Sequence, residues 1–238
     1  MQVLSGAMGV LTDARRHASA GWTPAQLASL QLWTEARRVT GVTEGAILPS
    51  WTDLSGRSNA MAIGGGKEPT WYGATGGVPR VVFSGVRGLM AASAFSGNQP
   101  RTVAVAYKPL DLTITNELAG SASTFVTNTW FMLQSRTGGA TGDPYLAKFS
   151  SDIAGPAPTS TPKVAIATFD GSVSTLYNSN TTIGTSTAAL NTNSCPFYIG
   201  SPNLGESVNV EIYACVCTNA CVSGTDLTNL VAYMGAMT

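Results

Sequence analysis

Short segments with alternating side chains constrain this chain more than any other feature of its sequence. In Arg101–Lys108, Val103 and Val105 fall on one side of an extended backbone, and smaller side chains fall on the other. The segment Lys163–Asp170 alternates in the same way. A period of two residues is that of a β-strand with two distinct faces. Both segments therefore predict strands of a two-sheet sandwich, in which one face of each strand is turned toward the opposite sheet.

Turn-forming residues separate these segments from one another. Phe-Asp-Gly-Ser at 169–172 joins two of them as a tight hairpin, and Ala154–Pro162, with three prolines, is typical of a surface loop. No internal repeat is visible. Strands are predicted over Leu30–Glu35, Gly45–Thr52, Val78–Ser84, Arg101–Lys108, Ser123–Gln134, Tyr145–Phe149, Lys163–Asp170, Ser172–Tyr177, Pro196–Gly200 and Val208–Thr218.

Two short helices are predicted to flank the strands. Thr23 and Gln26 have the spacing of a capping box around Pro24, which suits the first position of a helix. Near the other end, Ser223 or Thr225 is expected to cap a helix over 227–234 that closes one end of the core.

The first 22 residues differ from the rest and are predicted to form a docking arm before a sandwich domain over 23–238. A frayed terminus is the equally weighted alternative. The arm's expected contacts with a partner are made by two kinds of side chain, apolar and basic: Leu4, Met8, Leu11, Arg15 and Arg16.

Charge and hydropathy exclude several kinds of partner. Only 11% of the residues are charged, against about 25% in an ordinary soluble domain. Lys plus Arg and Asp plus Glu number 13 each, so the basic excess of a nucleic-acid binder is missing. No apolar run reaches the length of a membrane span, and no secretory signal is recognisable. A net charge near zero gives weak self-repulsion, which suits a subunit of a homo-oligomer.

Four cysteines, Cys195, Cys215, Cys217 and Cys221, are expected to be free, half-buried thiols. A disulfide is the alternative that their spacing leaves open. Structural zinc needs four closely paired ligands, and calcium needs several clustered oxygens. Neither pattern is present, so no metal or cofactor is expected.

The sequence shows no catalytic set. Glycosidases of sandwich type need two carboxyl groups about 5–5.5 Å apart in the retaining mechanism, whereas Glu117, Asp152 and Asp170 are isolated from one another along the chain. His17 is the single histidine, and Gly64–Lys67 is followed by Glu-Pro rather than by the helix of a phosphate loop. We therefore expect a protein that is not an enzyme.

Several motifs occur in an order that resembles the concanavalin A-like lectin/glucanase (laminin-G-like) jelly roll. They run through most of 27–238: Leu30, Leu32, Trp33, Trp51, Asp53, Ser55 and Gly56; Pro69, Trp71, Tyr72, Gly77, Pro79, Val81, Phe83 and Gly85; Phe169, Asp170, Gly171, Leu176, Tyr177 and Asn178; and Tyr198, Ile199, Gly200, Ser201, Glu211, Ile212, Tyr213, Ala214, Ser223, Asp226, Tyr233 and Met234. The resemblance implies an all-β, two-sheet antiparallel jelly-roll sandwich.

Members of this superfamily whose sequences begin with the first of these motifs are similar to bacteriophage structural proteins. That resemblance implies a non-enzymatic virion protein, such as a capsid decoration, head-fibre or tail-associated protein. Such a protein would dock on other capsid or tail proteins through its arm and would be located in the virion. The first alternative is a carbohydrate-binding adhesin or receptor-binding tip that recognises a host surface glycan through Trp130, Asp143 and Tyr145. A glycoside hydrolase is the more distant alternative.

Overall fold

The computed structural model describes residues 21–59, 61–63, 68–85, 88–92, 94–122, 126–137, 141–192, 194–201 and 207–238. Within these ranges the chain forms sixteen β-strands, three short 3-10 helices (Pro24–Gln26, Ala36–Arg38 and Ala74–Gly76) and the α-helix α1 (Gly224–Gly235). The strands are β1 (Leu30–Glu35), β2 (Ser50–Trp51), β3 (Met61–Ile63), β4 (Thr70–Tyr72), β5 (Arg80–Gly85), β6 (Gly88–Ala91), β7 (Arg101–Pro109), β8 (Asn116–Ser121), β9 (Phe131–Arg136), β10 (Gly142–Ala147), β11 (Ile153–Ala154), β12 (Lys163–Phe169), β13 (Ser174–Asn178), β14 (Thr181–Ser186), β15 (Phe197–Gly200) and β16 (Val208–Thr218).

The strands form two antiparallel sheets. The first sheet has the order β14-β13-β12-β7-β16-β5-β4, and β1 pairs with the C-terminal part of β16. The second sheet has the order β11-β10-β9-β8-β15-β6-β3-β2. Half of the neighbouring pairs are consecutive in sequence, and the other half, such as β7–β16 and β8–β15, join distant strands, as expected for a jelly roll in which the chain crosses between layers. The predicted fold class, an all-β two-sheet sandwich of jelly-roll type, is confirmed.

The core lies between the two sheets and follows the alternation read from the sequence. On β7, Val103, Val105 and Tyr107 point into the core, whereas Ala104 and Ala106 point out of the first sheet. Each large aliphatic side chain buried in this way contributes about 1.5–3 kcal/mol. The alternation predicted for this strand is confirmed.

The outer face of the first sheet is covered by α1. Leu230, Tyr233 and Met234 of the helix pack on the outward residues of β7, β12 and β16. The predicted closing helix is thus confirmed, and Ser223 is its N-cap residue, although its side chain makes no capping hydrogen bond. Trp22 joins this cluster and meets Tyr233 edge to face, with the ring centroids 5.9 Å apart.

Trp22 is the last residue of the predicted arm, and it packs against the sandwich. The five side chains expected to dock on a partner, Leu4, Met8, Leu11, Arg15 and Arg16, lie outside the described residues. The arm and its partner contacts therefore stay predictions.

Two predicted strands are much shorter than expected, and six strands were not predicted: β3, β4, β6, β8, β11 and β14. Gly45–Thr52 contributes only β2, and the strand expected over Ser123–Gln134 begins at Phe131 because a turn precedes it, in which Asn128 has a φ of 59° and Thr129 donates to the carbonyl of Val126. β8 was not predicted at all. It contains Asn116, Glu117 and Gly120, which are poor strand formers, and it exists because it pairs with β9 and β15.

The Trp-Thr-Asp-Leu-Ser-Gly motif after β2 has a structural role. Asp53 Oδ1 accepts hydrogen bonds from the backbone N–H of Trp33 (3.1 Å) and of Ser55 (2.9 Å), and Oδ2 accepts one from the N–H of Asn59 (2.9 Å). One carboxylate thereby fixes the loop against β1. The motif indicates this loop of the sandwich rather than a binding function.

All four cysteines are free thiols. Cys215 and Cys217 lie on β16 in the core, and burial raises the pKa of both thiols above the ordinary value. A buried thiol with a raised pKa is a poor nucleophile, so these two are packing residues. Within the described ranges, no helix has both the length and the apolar character needed to cross a membrane.

Candidate functional site

The outer face of the second sheet carries polar side chains at the positions where the first sheet has small apolar ones. Glu117 of β8, Gln134 of β9 and Tyr145 of β10 are direct cross-strand neighbours. Beside them, Met132 and Ala147 form a small apolar cluster with Trp130. Leu133 and Leu146, the sequence neighbours of these residues, point the other way into the core.

A pocket of about 120 Å³ opens on this face. Its walls come from the strand pair β9–β10 and from the loops at the strand ends. The lining residues are Thr115, Trp130, Gln134, Arg136, Ala147, Phe149 and Asp152. Drug-sized ligands occupy about 300–1,000 Å³, so this pocket accommodates only a small group or one end of a longer ligand.

Arg136, Tyr145 and Asp152 form a connected polar network at the pocket. Tyr145 donates its hydroxyl hydrogen to Asp152 Oδ2 (2.6 Å) and accepts a hydrogen bond from Arg136 Nη1 (3.2 Å). The guanidinium also lies 4.9 Å from the centroid of the Tyr145 ring. Burial, and then the hydrogen bond to Asp152, raise the pKa of Tyr145 to about 12. The phenol therefore remains a neutral donor at physiological pH.

Asp152 shapes the turn that forms the pocket's rim. Its Oδ1 accepts hydrogen bonds from the backbone N–H of Lys148 (2.7 Å) and of Phe149 (3.0 Å). Phe149 takes a φ of 62° in this turn, a left-handed conformation that is a genuine outlier for a bulky residue. Its ring is 36% exposed and lies 5.8 Å from the Trp130 ring, centroid to centroid. Backbone outliers of this kind concentrate at ligand clamps and active sites.

Gln134 brings a buried acceptor to the pocket. Its Nε2 donates to Glu117 Oε1 (2.7 Å), and its Oε1 accepts no hydrogen bond from the described residues although the side chain is 3% exposed. Buried polar atoms are bonded in the large majority of cases, and an exception calls for an explanation. The Gln134 side chain lines the pocket, but this oxygen itself is shielded from solvent.

Two of the three residues predicted to bind carbohydrate come together at this pocket. Trp130 lines it, and Tyr145 belongs to its polar network. Asp143 does not join them. Its carboxylate is fully buried and accepts hydrogen bonds from Tyr107 and Lys163 of the first sheet. The pairing of β9 with β10 shifts register between Gly142 and Tyr145, so Asp143 points between the sheets. The structure therefore does not bring Asp143 to this pocket.

Sequence reasoning missed Gln134, Arg136, Phe149 and Asp152. A signal for the first two existed, since Trp130, Gln134 and Arg136 have even spacing and so share one strand face. For Phe149 and Asp152 no such signal exists, because a five-residue turn places them.

The described ranges contain no group of three or more His, Cys, Asp and Glu side chains that could hold a metal ion.

Solved structures share this fold. A domain of a GH43 extracellular arabinanase from Geobacillus stearothermophilus, in complex with arabinotriose, matches with a TM-score of 0.64 and 16% identity, over 85% of this chain and 98% of that one. A GH54 α-L-arabinofuranosidase soaked with 4-nitrophenyl α-L-arabinofuranoside matches with a TM-score of 0.61 and 12% identity, over 79% of this chain and 50% of that one. A Trypanosoma rangeli sialidase matches with a TM-score of 0.57 and 14% identity, over 88% and 34%.

The chain thus spans nearly all of the arabinanase domain, half of the arabinofuranosidase and about a third of the sialidase. At these identities the likeness establishes the β-sandwich fold. No protein-family model matches the chain, and no curated protein sequence matches it either.

The predicted role as a virion structural protein is wrong. The three structures described above come from proteins named for acting on carbohydrate, and none of the three is named as a phage protein. The motifs behind the prediction do not specify a virion protein, since Asp53, for example, holds a loop through hydrogen bonds from the backbone of Trp33 and Asn59. The expected virion location is tested by no observation and stays a prediction.

Proposed function

We propose that this protein binds carbohydrate through the outer face of its second sheet and does not cleave it. The observation that carries the proposal is the pocket where the Trp130 and Phe149 rings meet the polar network of Arg136, Tyr145 and Asp152. The names of the solved structures with the same fold, an arabinanase domain holding arabinotriose among them, support the choice of ligand class. We also propose that the sandwich belongs with the concanavalin A-like lectins, as its ordered motifs suggest.

Sugars combine apolar C–H faces with hydroxyls that donate and accept hydrogen bonds. The exposed part of the Phe149 ring offers an aromatic surface for the apolar face of a sugar. Arg136 offers fixed donors, and Asp152 offers acceptor oxygens. An apolar wall with a few convergent polar groups is the usual composition of a small-ligand site.

The proposal of binding without cleavage is based on the state of the carboxylates on this face. Glu117 is fully buried and hydrogen-bonded by Gln134, so a glycosidic oxygen in the pocket does not reach it without a rearrangement. Asp152 already accepts three hydrogen bonds, from Tyr145, Lys148 and Phe149. A glycosidase needs one free carboxyl group as acid and another as nucleophile or base.

The test compares two arginines in similar settings. Arg136 lies over the Tyr145 ring and 3.7 Å from Asp152, whereas Arg80, in the first sheet, lies over the Tyr72 ring and 3.1 Å from Glu211. On a glycan array, the unmodified protein is expected to bind a subset of glycans. Arg136→Ala should weaken that binding by roughly 10- to 100-fold, since a hydrogen bond to a charged group is worth about 1.5–3 kcal/mol.

Arg80→Ala is the matched control and should leave the array pattern unchanged. Binding that is absent, or that survives Arg136→Ala in full, would exclude this face as the site. A parallel assay for newly formed reducing ends, with the array's own ligands, tests the second half of the proposal. Sustained release of reducing sugar that disappears in Glu117→Gln would instead support the glycoside hydrolase alternative.

A further inference from the structure

We infer that the pocket selects an uncharged sugar unit and discriminates against acidic sugars that carry a carboxylate. The inference rests on the proposed function and deepens it by naming the class of ligand. It comes from the balance of charge among the described residues around the pocket, where both cations, Arg136 and Lys148, already have polar partners.

One cation and one anion line the pocket, Arg136 and Asp152. They face each other at 3.7 Å, with their side chains 34% and 24% exposed. Glu117 adds a second carboxylate beside Gln134. Lys148 adds a second cation, but its Nζ points away from the pocket, toward Ser186 Oγ and the Ala188 carbonyl of the first-sheet side, at 3.1 Å from each. The formal charges of these four side chains cancel.

The guanidinium of Arg136 is already occupied on the side that faces the network. One of its nitrogens donates to the Tyr145 hydroxyl, and the carboxylate of Asp152 screens its charge. Specific recognition of a carboxylate typically uses a guanidinium fork that is free to form two parallel hydrogen bonds. A carboxylate placed here would approach Asp152 as closely as it approaches Arg136, and like charges at that range repel.

A sugar hydroxyl meets no such conflict. It donates to Asp152 and accepts from an N–H of Arg136, so it binds to the ion pair without adding a charge. Neutral ligands therefore match both the polarity and the charge balance of the pocket, whereas acidic sugars match only the polarity.

Asp152→Asn tests the inference because it removes the negative charge and keeps the shape of the side chain. The amide oxygen still accepts from the N–H groups of Lys148 and Phe149, so the turn is preserved. Asp170→Asn is the matched control: Asp170 also accepts two backbone N–H groups through Oδ1, from Ser172 and Val173, in the β12–β13 turn of the first sheet. Thermal melting of both variants checks that each is folded.

The probes are pairs of neutral and acidic ligands. Methyl glucoside and methyl glucuronide, like methyl galactoside and methyl galacturonide, differ only in the oxidation of one carbon, whereas 3′-sialyllactose adds one acidic sugar unit to lactose. The neutral and acidic glycans of the array complete the set. For the glycans that the protein binds, we expect the neutral partner to bind at least tenfold more tightly than the acidic one. In Asp152→Asn the acidic partner should gain at least fivefold, while Asp170→Asn should change neither.

Two outcomes overturn the inference in different ways. If the unmodified protein binds an acidic partner as tightly as its neutral counterpart in an Arg136-dependent way, the charge argument is wrong and carbohydrate binding still holds. If no glycan of either class binds in an Arg136-dependent way, the proposed function fails and the inference fails with it.

Discussion

The two outer faces of the sandwich are built from similar strands, but α1 covers one of them and a pocket opens on the other. On the first sheet, the outward residues Ala104, Ala106, Val164 and Ile166 are apolar, and α1 covers them. On the second sheet, the outward positions combine polar side chains with a small apolar cluster, and a pocket opens beside them. An apolar outer face must be covered to be stable in water. At the pocket of the second sheet, Arg136, Phe149 and Asp152 are partly exposed and are therefore available for contact.

The difference also shows in how each face uses its aromatic residues. Tyr233 is held between Trp22 and Trp33, and its hydroxyl donates to the buried Glu35. This arrangement locks the helix onto the sheet. Phe149, by contrast, is partly exposed, has an unfavourable backbone conformation and packs its ring against Trp130. If the comparison is right, substitutions on the covered face change stability and substitutions on the open face change binding.

The largest effect on stability is expected on the covered face. Leu230 is fully buried under α1, so Leu230→Ala should lower the free energy of unfolding by about 2–5 kcal/mol because it removes apolar contacts and leaves a cavity. Urea unfolding followed by circular dichroism measures the change. Thr225→Ala, at an exposed position of the same helix, is the control. Glycan affinity of the folded Leu230→Ala protein should be unchanged, and a large loss of affinity would break the comparison.

A smaller effect on stability is expected at Tyr145, on the open face. Tyr145→Phe deletes the hydroxyl that links Arg136 to Asp152 and should cost about 1–2 kcal/mol while weakening glycan binding. Tyr213→Phe is the control in the first sheet, where the Tyr213 hydroxyl donates to Glu211 (2.8 Å). That control should lose stability without losing binding. Equal loss of glycan binding in Tyr145→Phe and Tyr213→Phe would mean that the Tyr145 hydroxyl has no specific role in binding.

Unfolding at alkaline pH gives a second test of the role of the Tyr145 hydroxyl in stability. Its pKa is raised to about 12 in the folded protein, whereas an unfolded tyrosine titrates near pH 10. Above pH 10 the unfolded chain releases this proton more readily than the folded one, so stability falls as pH rises from about 10 to about 12. Tyr145→Phe lacks this contribution. The stability difference between the two proteins should therefore shrink over that range, and a constant or growing difference would contradict the assignment.

The smallest change in stability is expected at Phe149. Phe149→Gly removes a left-handed strain of about 1–2 kcal/mol, and the lost ring contact and the greater freedom of glycine in the unfolded chain offset it. The free energy of unfolding should change by less than about 1 kcal/mol. Glycan affinity should fall about tenfold, because the exposed aromatic surface is gone. Ser179→Gly, also at a positive φ (52°) but in the β13–β14 turn, is the control that should keep full affinity.

Much of the fold could be predicted because it depends on patterns between near neighbours in sequence. The alternation in β7 and β12, the hairpin turn at 169–172 and the closing helix each follow from local rules, and each is present. β8 could not be predicted, because its residues form a strand only where β9 and β15 supply the pairing. Glu117 reaches the open face through that unpredicted strand.

The candidate site was predictable only in part. Trp130 and Tyr145 are aromatic residues in strand-like segments, and both do reach the pocket region. Asp143 lies two residues from Tyr145, and the period of two would place both on one face. A register shift of one strand against its neighbour reverses that expectation, and the carboxylate is bound instead by Lys163 across the core.

The amino-acid sequence determined the sandwich, since alternating side chains have one efficient way to bury their apolar half, between two sheets. Only the tertiary structure decided which outer face is covered and which residues meet at the open one. That choice depends on strand pairings such as β8 with β15, which join residues far apart in sequence, and on one turn held by Asp152, whose hydrogen bonds to Lys148 and Phe149 no alternating pattern reveals.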